Sequence, residues 1–277
     1  MNRFLLLISF LSIGIFTYSQ GLEKVFIETY YIANSDDGQS ENSRGLKEGM
    51  KTVRIWVDMI EGYRLLSVYG APGHPLIIET STNFFNDTVY GKIEAPDIDP
   101  RHLGTSSLLL DSYIAISGAN RSGIAVLKSD DTDGSVVTPN VTDSDPVLIE
   151  REALMNENSE AGIPLRDVDG IMTGTVPALV VFGHDFNAFG NSLEQSKVEV
   201  DNGAWAVFKG LKGPFPEKNY LLIAQITTDG ELSYELNLQL SSPRGETEYY
   251  VARNPNEGEF SHSSLIHPTT DQSSLEP

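Results

Sequence analysis

The chain contains no cysteine. Disulfides, thiolate metal centres, a cysteine nucleophile and an acylated lipoprotein cysteine are therefore excluded. Basic residues are scarce: 19 Lys and Arg stand against 39 Asp and Glu in 277 residues, a formal net charge of −20. Nucleic acid and anionic lipid surfaces are recognised by Lys/Arg-rich faces, so neither is expected as a partner. Beyond residue 20 no apolar run approaches the ~20 residues that span a bilayer. Helical periodicity is nearly absent, with 147–156 the one stretch able to hold a few turns. What the chain does have is an ordinary share of hydrophobic residues, 40%, enough to build a packed core. The length allows one large β domain or two smaller ones.

The N-terminus reads as an export signal. Arg3 precedes an apolar run from Phe4 to Phe16, followed by the small residues Thr17 and Ser19. The run is short for a membrane span and right for a secretory signal peptide, with cleavage expected after Ser19. The expected destination is the periplasm, the cell surface or the exterior, with no membrane span in the mature chain. Export without cysteine suits a bacterial protein.

Strand patterns fill the rest. Leu232, Tyr234, Leu236, Leu238 and Leu240 share one face of a run whose other face carries Ser233, Glu235, Asn237 and Gln239. Asp229-Gly230 separates it from a run at 219–228, which predicts a tight hairpin with Ile223 opposite Leu236. In 219–228 the apolar residues occupy both faces, Leu221 and Ile223 against Leu222, Ala224 and Ile226. Val53, Ile55, Val57 and Met59 alternate with Arg54, Trp56 and Asp58, and a turn at Glu61-Gly62 leads into 63–69. Further strands are expected at 25–32, 76–80, 113–117, 124–127, 178–182, 205–208 and 249–252. The expected class is all-β: an antiparallel β-sandwich or two packed β-sheet subdomains with little helix. Nine carboxylates and one arginine between 129 and 160 mark an acidic connection between a front half, 20–128, and a back half, 161–253. The Asn/Ser/Thr/Pro-rich tail at 254–277 is expected to be disordered.

The blocks Tyr63-Arg64-Leu65 with Val68-Tyr69-Gly70, Glu79-Thr80-Ser81-Thr82 with Phe84-Phe85, Asp111-Ser112-Tyr113, Asn202-Gly203-Ala204-Trp205 and 222–230 together resemble a secreted bacterial β domain. That domain occurs, often in tandem, in large surface proteins of marine and Bacteroidetes-type bacteria. The resemblance implies export and a β fold, and no particular reaction. Members in long chains often end in a type IX sorting domain, and none is expected before Pro277.

Several groups could carry chemistry. Asp130, Asp131 and Asp133 lie in a Ser-Asp-Asp-Thr-Asp-Gly run that partly matches a calcium loop. Ser129 replaces the first acid and Asn140 the closing carboxylate, so the expectation is a loose Ca²⁺ site rather than an EF-hand. Asp37-Gly38 and Asp169-Gly170 close similar fragments. The five histidines show no zinc spacing. His184-Asp185 has half the composition of a triad, but neighbours on a strand face apart. Glu79 and Asp111, flanked by apolar strand residues, are the carboxylates to test for glycoside hydrolysis, with solvent-facing positions as the simpler expectation. Trp56 shares the polar phase of its strand, and with Tyr63 and Tyr69 it forms a candidate ligand-binding platform if that face is open. If another segment covers the face, Trp56 is core, which is the favoured expectation. The leading functional reading is an exported non-enzymatic β-sandwich protein with a binding, adhesion or envelope-structural role. Its expected partner is a glycan or an envelope component. The alternatives are a carbohydrate-binding module, calcium-stabilised or not, and a hydrolase.

Overall fold

Alternating side chains bury one stripe per strand, and the fold brings those stripes together from three sheets. The computed structural model describes residues 20–39, 43–98, 108, 110–117, 127, 178–190, 194–213 and 216–268. Among them are β1 (Leu22–Ile32), β2 (Lys51–Met59), β3 (Arg64–Gly70), β4 (Leu76–Thr80), β5 (Tyr113–Ser117), β6 (Leu179–Phe182) and β7 (Lys197–Val200). There follow β8 (Gly203–Leu211), β9 (Tyr220–Thr228), β10 (Leu232–Glu235), β11 (Asn237–Ser241), β12 (Thr247–Val251), β13 (Glu259–Ser261) and β14 (Ile266–His267); a short helix α1 spans Ser35–Gln39. The sheet orders are β1-β2-β9-β5, β14-β10-β4-β7 and β13-β12-β11-β3-β8-β6. The fold is all-β and sandwich-like, as the patterning predicts. No helix among the described residues is long and apolar enough to cross a membrane.

The second and third sheets form one bent layer. β10 runs into β11 at Leu236, β7 into β8 at Asp201-Asn202, and β3 into β4 through a turn closed by the Ala71–His74 bridge. The order β10-β4-β7 therefore repeats β11-β3-β8 across the bend, as when strands switch sheets at a corner. This layer packs on β1-β2-β9-β5. Ile55 and Val57 of β2, Leu65 and Val68 of β3, and Leu236 and Leu238 share one apolar core, each 0% exposed. Each such side chain contributes about 1.5–3 kcal/mol by leaving water. The Trp205 indole N–H on β8 spans the layers and donates to the Ala115 carbonyl at 2.9 Å. Each sheet interleaves strands from before and after the acidic segment at 129–160, which lies outside the described residues, as does the signal segment 1–19.

The structure corrects three sequence expectations. Asp229-Gly230 does not close a hairpin. β9 pairs with β2 and β5, whereas β10 pairs with β4 and β14, so the turn carries the chain from one layer to the other. The glycine is required by close approach: a Cβ at 230 would lie 2.6 Å from both Thr80 Oγ1 and Thr82 Oγ1. A period-two strand specifies which face is buried but not which strand lies beside it. The Glu61-Gly62 turn is the same kind of crossover, because β2 and β3 also belong to different sheets.

The second correction concerns the faces of β9. A register shift pairs Ile55 with Ala224 and Trp56 with Leu222, leaving Ile223 as a bulge. Beyond it Ala224 and Ile226 join Leu221 and Ile223 in the main core, and Leu222 belongs to the opposite cluster. An extra residue resets the alternation.

The third concerns 254–268, where composition predicts disorder. β13 pairs parallel to β12, β14 pairs with β10, and Leu265 is fully buried. The Leu236 N–H donates to the Leu265 carbonyl at 2.9 Å, and the Val25 N–H to Ser264 Oγ at 2.7 Å. A few apolar residues suffice where finished sheets already offer free edges. An average over the tail conceals them.

Candidate binding surface

Trp56 is 0% exposed. Its face of β1-β2-β9-β5 is covered by chain from the 33–50 and 85–113 regions, which contributes Leu46, Met50, Phe85 and Leu110 to a second core. Phe26 stacks near its ring at 6.4 Å, Tyr220 meets it edge-on at 5.5 Å, and its indole N–H is buried without a hydrogen-bond partner. The open platform on this side is therefore absent, and the covered alternative is the one observed.

Tyr63 lies in the main core and donates to Glu248 Oε1 at 2.9 Å; burial first, then this bond to a carboxylate, pushes its phenol up to about 12. Tyr69 faces outward from β3 but is 9% exposed, packed with Ala204 and Val251. Burial, with Glu259 and Tyr249 adding to it, pushes its phenol up to about 12. The three expected ligand residues thus occupy three separate places.

The other candidates are structural. Asp111 is fully buried, not solvent-facing: it accepts the backbone N–H groups of Asp87 and Lys92 at 2.8 and 3.0 Å. Burial holds its carboxyl well above the usual range, those two N–H groups oppose the shift, and the Asp87 charge reinforces it. Asp87 is in turn gripped by Arg44, with both carboxylate oxygens 2.8 Å from Nη1. Glu79 is exposed on β4 and is not brought to Asp111. Asp37 accepts from the Tyr31 hydroxyl and the Asn34 N–H. His184 Nδ1 accepts from the Phe186 N–H at 2.9 Å while Asp185 binds Asn187, so the pair forms no triad. Asp130, Asp131 and Asp133 lie outside the described residues. Among the described residues no three His, Asp or Glu side chains gather to hold a metal. A surface recess of about 480 Å³ lies beside Lys92, Glu94, Asp97 and Asn187. There burial, then the Asp97 charge, raises the Glu94 carboxyl.

The outward face of the six-stranded sheet is different. Val180 and Phe182 on β6 are 51% and 55% exposed, and Phe208 on β8 is 77% exposed. Register aligns Val180 with Ala206, Ser67, Gln239 and Tyr249, and Phe182 with Ala204 and Tyr69. Small side chains in the middle leave a shallow floor between aromatic margins. Opposite the single residue Leu66 of β3, β8 runs through 207–210, because Ser67 pairs with Ala206 and Leu65 with Leu211. Lys209 and Gly210 take left-handed φ values of 66° and 68° there, so the strand bulges just after Phe208.

β6 also differs from three of the other edges. β1 carries Glu23, Lys24 and two register shifts, β7 carries Lys197 and Glu199, and β13 begins with Glu259. Charges and bulges of this kind keep sheet edges from recruiting other chains. β6 reads Leu-Val-Val-Phe and has neither. The sequence pattern predicts a strand at 178–182 but not which of its apolar residues stay in water. Trp205 inside on β8 puts Phe208 outside, and that signal was available. Comparison of the chain with protein-family models, with curated proteins and with solved structures finds no match.

Proposed function

We propose that the chain is an exported, non-enzymatic β-sandwich protein with a binding, adhesion or envelope-structural role, acting through the outward face of β6, β8 and β3. The observation that carries this reading is the exposure of Val180, Phe182 and Phe208 side by side on one sheet face. Contiguous apolar surface of this kind, rimmed by polar groups, marks contact sites. The signal-like N-terminus and the resemblance to secreted bacterial β domains support export. The carbohydrate-binding alternative moves with the rings: Trp56 is core, and the outward aromatics are Phe182, Phe208 and Tyr249.

The test compares wild type with Phe182→Ala/Phe208→Ala on a glycan array and on isolated bacterial envelopes. The expected result is retention by wild type and loss in the variant at an unchanged melting temperature. Equal retention of both would remove the surface from the function. Mass spectrometry of the protein exported by an expressing bacterium is expected to give Gln20 as the first residue, and intact 1–277 in the cytoplasm would refute export.

A further inference from the structure

The contact face carries a charge pattern opposite to that of the chain. β6, β8, β3 and β11 are four adjacent strands, and none contains an aspartate or a glutamate, in a sequence with 39 of them. The charged side chains they do carry are Arg64 and Lys209, both exposed. Arg64 Nη1 lies 3.4 Å from the Gly210 carbonyl, and Lys209 Nζ stands 5.7 Å from the centre of the Phe208 ring. Among the described residues neither cation has a carboxylate partner. Two unpaired cations beside exposed rings form a local site of positive potential on an otherwise acidic molecule.

We propose that this face binds an anionic polysaccharide, a chain of sugar rings bearing carboxylate or sulfate groups; the inference rests on the reading of the face as the contact surface. The apolar faces of sugar rings stack on Phe208 and Phe182. From β6 to β3 is two interstrand steps, about 10 Å, and the floor between them is Ala204, Ala206 and Ser67, so linked rings lie flat without obstruction. Lys209 and Arg64 meet the anionic substituents at the β8 bulge. Gln239, whose amide oxygen accepts from Ser67 at 2.9 Å, offers its NH₂ to a sugar hydroxyl. Aspartate and glutamate, which would repel such a ligand, are absent from these four strands. An extended peptide added to the β6 edge is the competing occupant, but pairing along that edge would not use Arg64, Lys209 or the ring of Phe208.

The test is isothermal titration of the mature protein with polygalacturonate and chondroitin sulfate, and with neutral dextran and laminarin as controls. At least one anionic polymer is expected to bind, and raising NaCl from about 0.05 to 0.5 M is expected to weaken it as screening tightens. Phe208→Ala and Lys209→Asn are each expected to weaken binding about tenfold; asparagine is chosen because it tolerates the left-handed φ. Val89→Ala, exposed elsewhere on the surface, is expected to change nothing. Phe208-dependent, salt-insensitive binding of a neutral polymer would overturn the anionic class while keeping the surface. Binding unaffected by Phe208→Ala and Lys209→Asn would overturn the surface as well. No heat with any anionic polymer, or a dimer in sedimentation that Val180→Lys dissolves, would overturn the proposal.

Discussion

In the sheet β1-β2-β9-β5 the strands β2 and β9 are buried on both faces, and the two faces are built from different chemistry. Toward the bent layer it presents Val53, Ile55, Val57, Leu221 and Ile223, and the core there is apolar. On the other face Arg54 is 0% exposed. Its guanidinium lies 3.5 Å from the centre of the Tyr30 ring, and its Nε donates to Gln225 Oε1 at 3.0 Å. Gln225 in turn donates to the Asp111 carbonyl at 2.8 Å, and Thr52 and Thr227 hydroxyls pair at 2.6 Å. The first face gains from area, which is indifferent to exact partners. The second also depends on specific polar contacts, so loss of one group leaves its partner buried and unsatisfied.

That contrast can be broken in order of effect. Arg54→Met, which removes the stacked cation and leaves the Gln225 carbonyl without its donor, is expected to cost about 3 kcal/mol in denaturant unfolding. Gln225→Met is expected to cost less in the Arg54→Met background than in wild type, since there the Gln225 carbonyl has already lost its donor and only the bond to the Asp111 carbonyl is left to lose. If the double variant is the sum of the singles, the polar face is not a coupled network. In the apolar core the matched change Leu238→Met is expected to cost under about 1.5 kcal/mol. A loss as large as that of Arg54→Met would erase the distinction.

Between these lies the Glu248 carboxylate at the sandwich end, which accepts from the Tyr63 and Tyr250 hydroxyls at 2.9 and 2.6 Å and from the Gly21 N–H at 3.0 Å. Tyr63→Phe removes one donor of three and is expected to lower stability by about 1 kcal/mol. No change would show that this bond is replaced by water.

The smallest effect is one of slope. Folded Asp111 keeps its proton to a higher pH than in the unfolded chain, so the folded state binds more protons there. Its contribution to stability is therefore present below the ordinary value of 3.8 and falls as pH rises through the raised folded value. Asp111→Asn is expected to flatten that part of the stability–pH curve. An unaltered slope would assign the fall to other groups.

The two faces also differ in how well a sequence foretells them. Alternation of Val53, Ile55 and Val57, and of Leu236, Leu238 and Leu240, predicts the apolar core directly. Strands at 76–80 and 113–117 match β4 and β5 end to end. The second core was less legible. Arg54, Thr52 and Gln225 look like surface residues until a covering segment arrives from elsewhere in the chain, and no local pattern announces one. The Ile223 bulge and the crossover at Gly230 escaped for the same reason: each answers to a neighbour distant in sequence. The exposed face of β6 and β8 is half legible: its strands follow from the patterning, and its lack of a cover does not.

Local chemistry by itself determined that this chain makes strands, which stripe of each is greasy, and that sulfur crosslinks play no part. Those follow from side-chain period and composition, which are properties of neighbours. Which strands lie side by side, which polar faces are roofed over, and which rings are left in water were decided by tertiary structure. The physical reason is that pairing and covering are choices among distant segments of nearly equal local preference, and only the assembled layers discriminate between them.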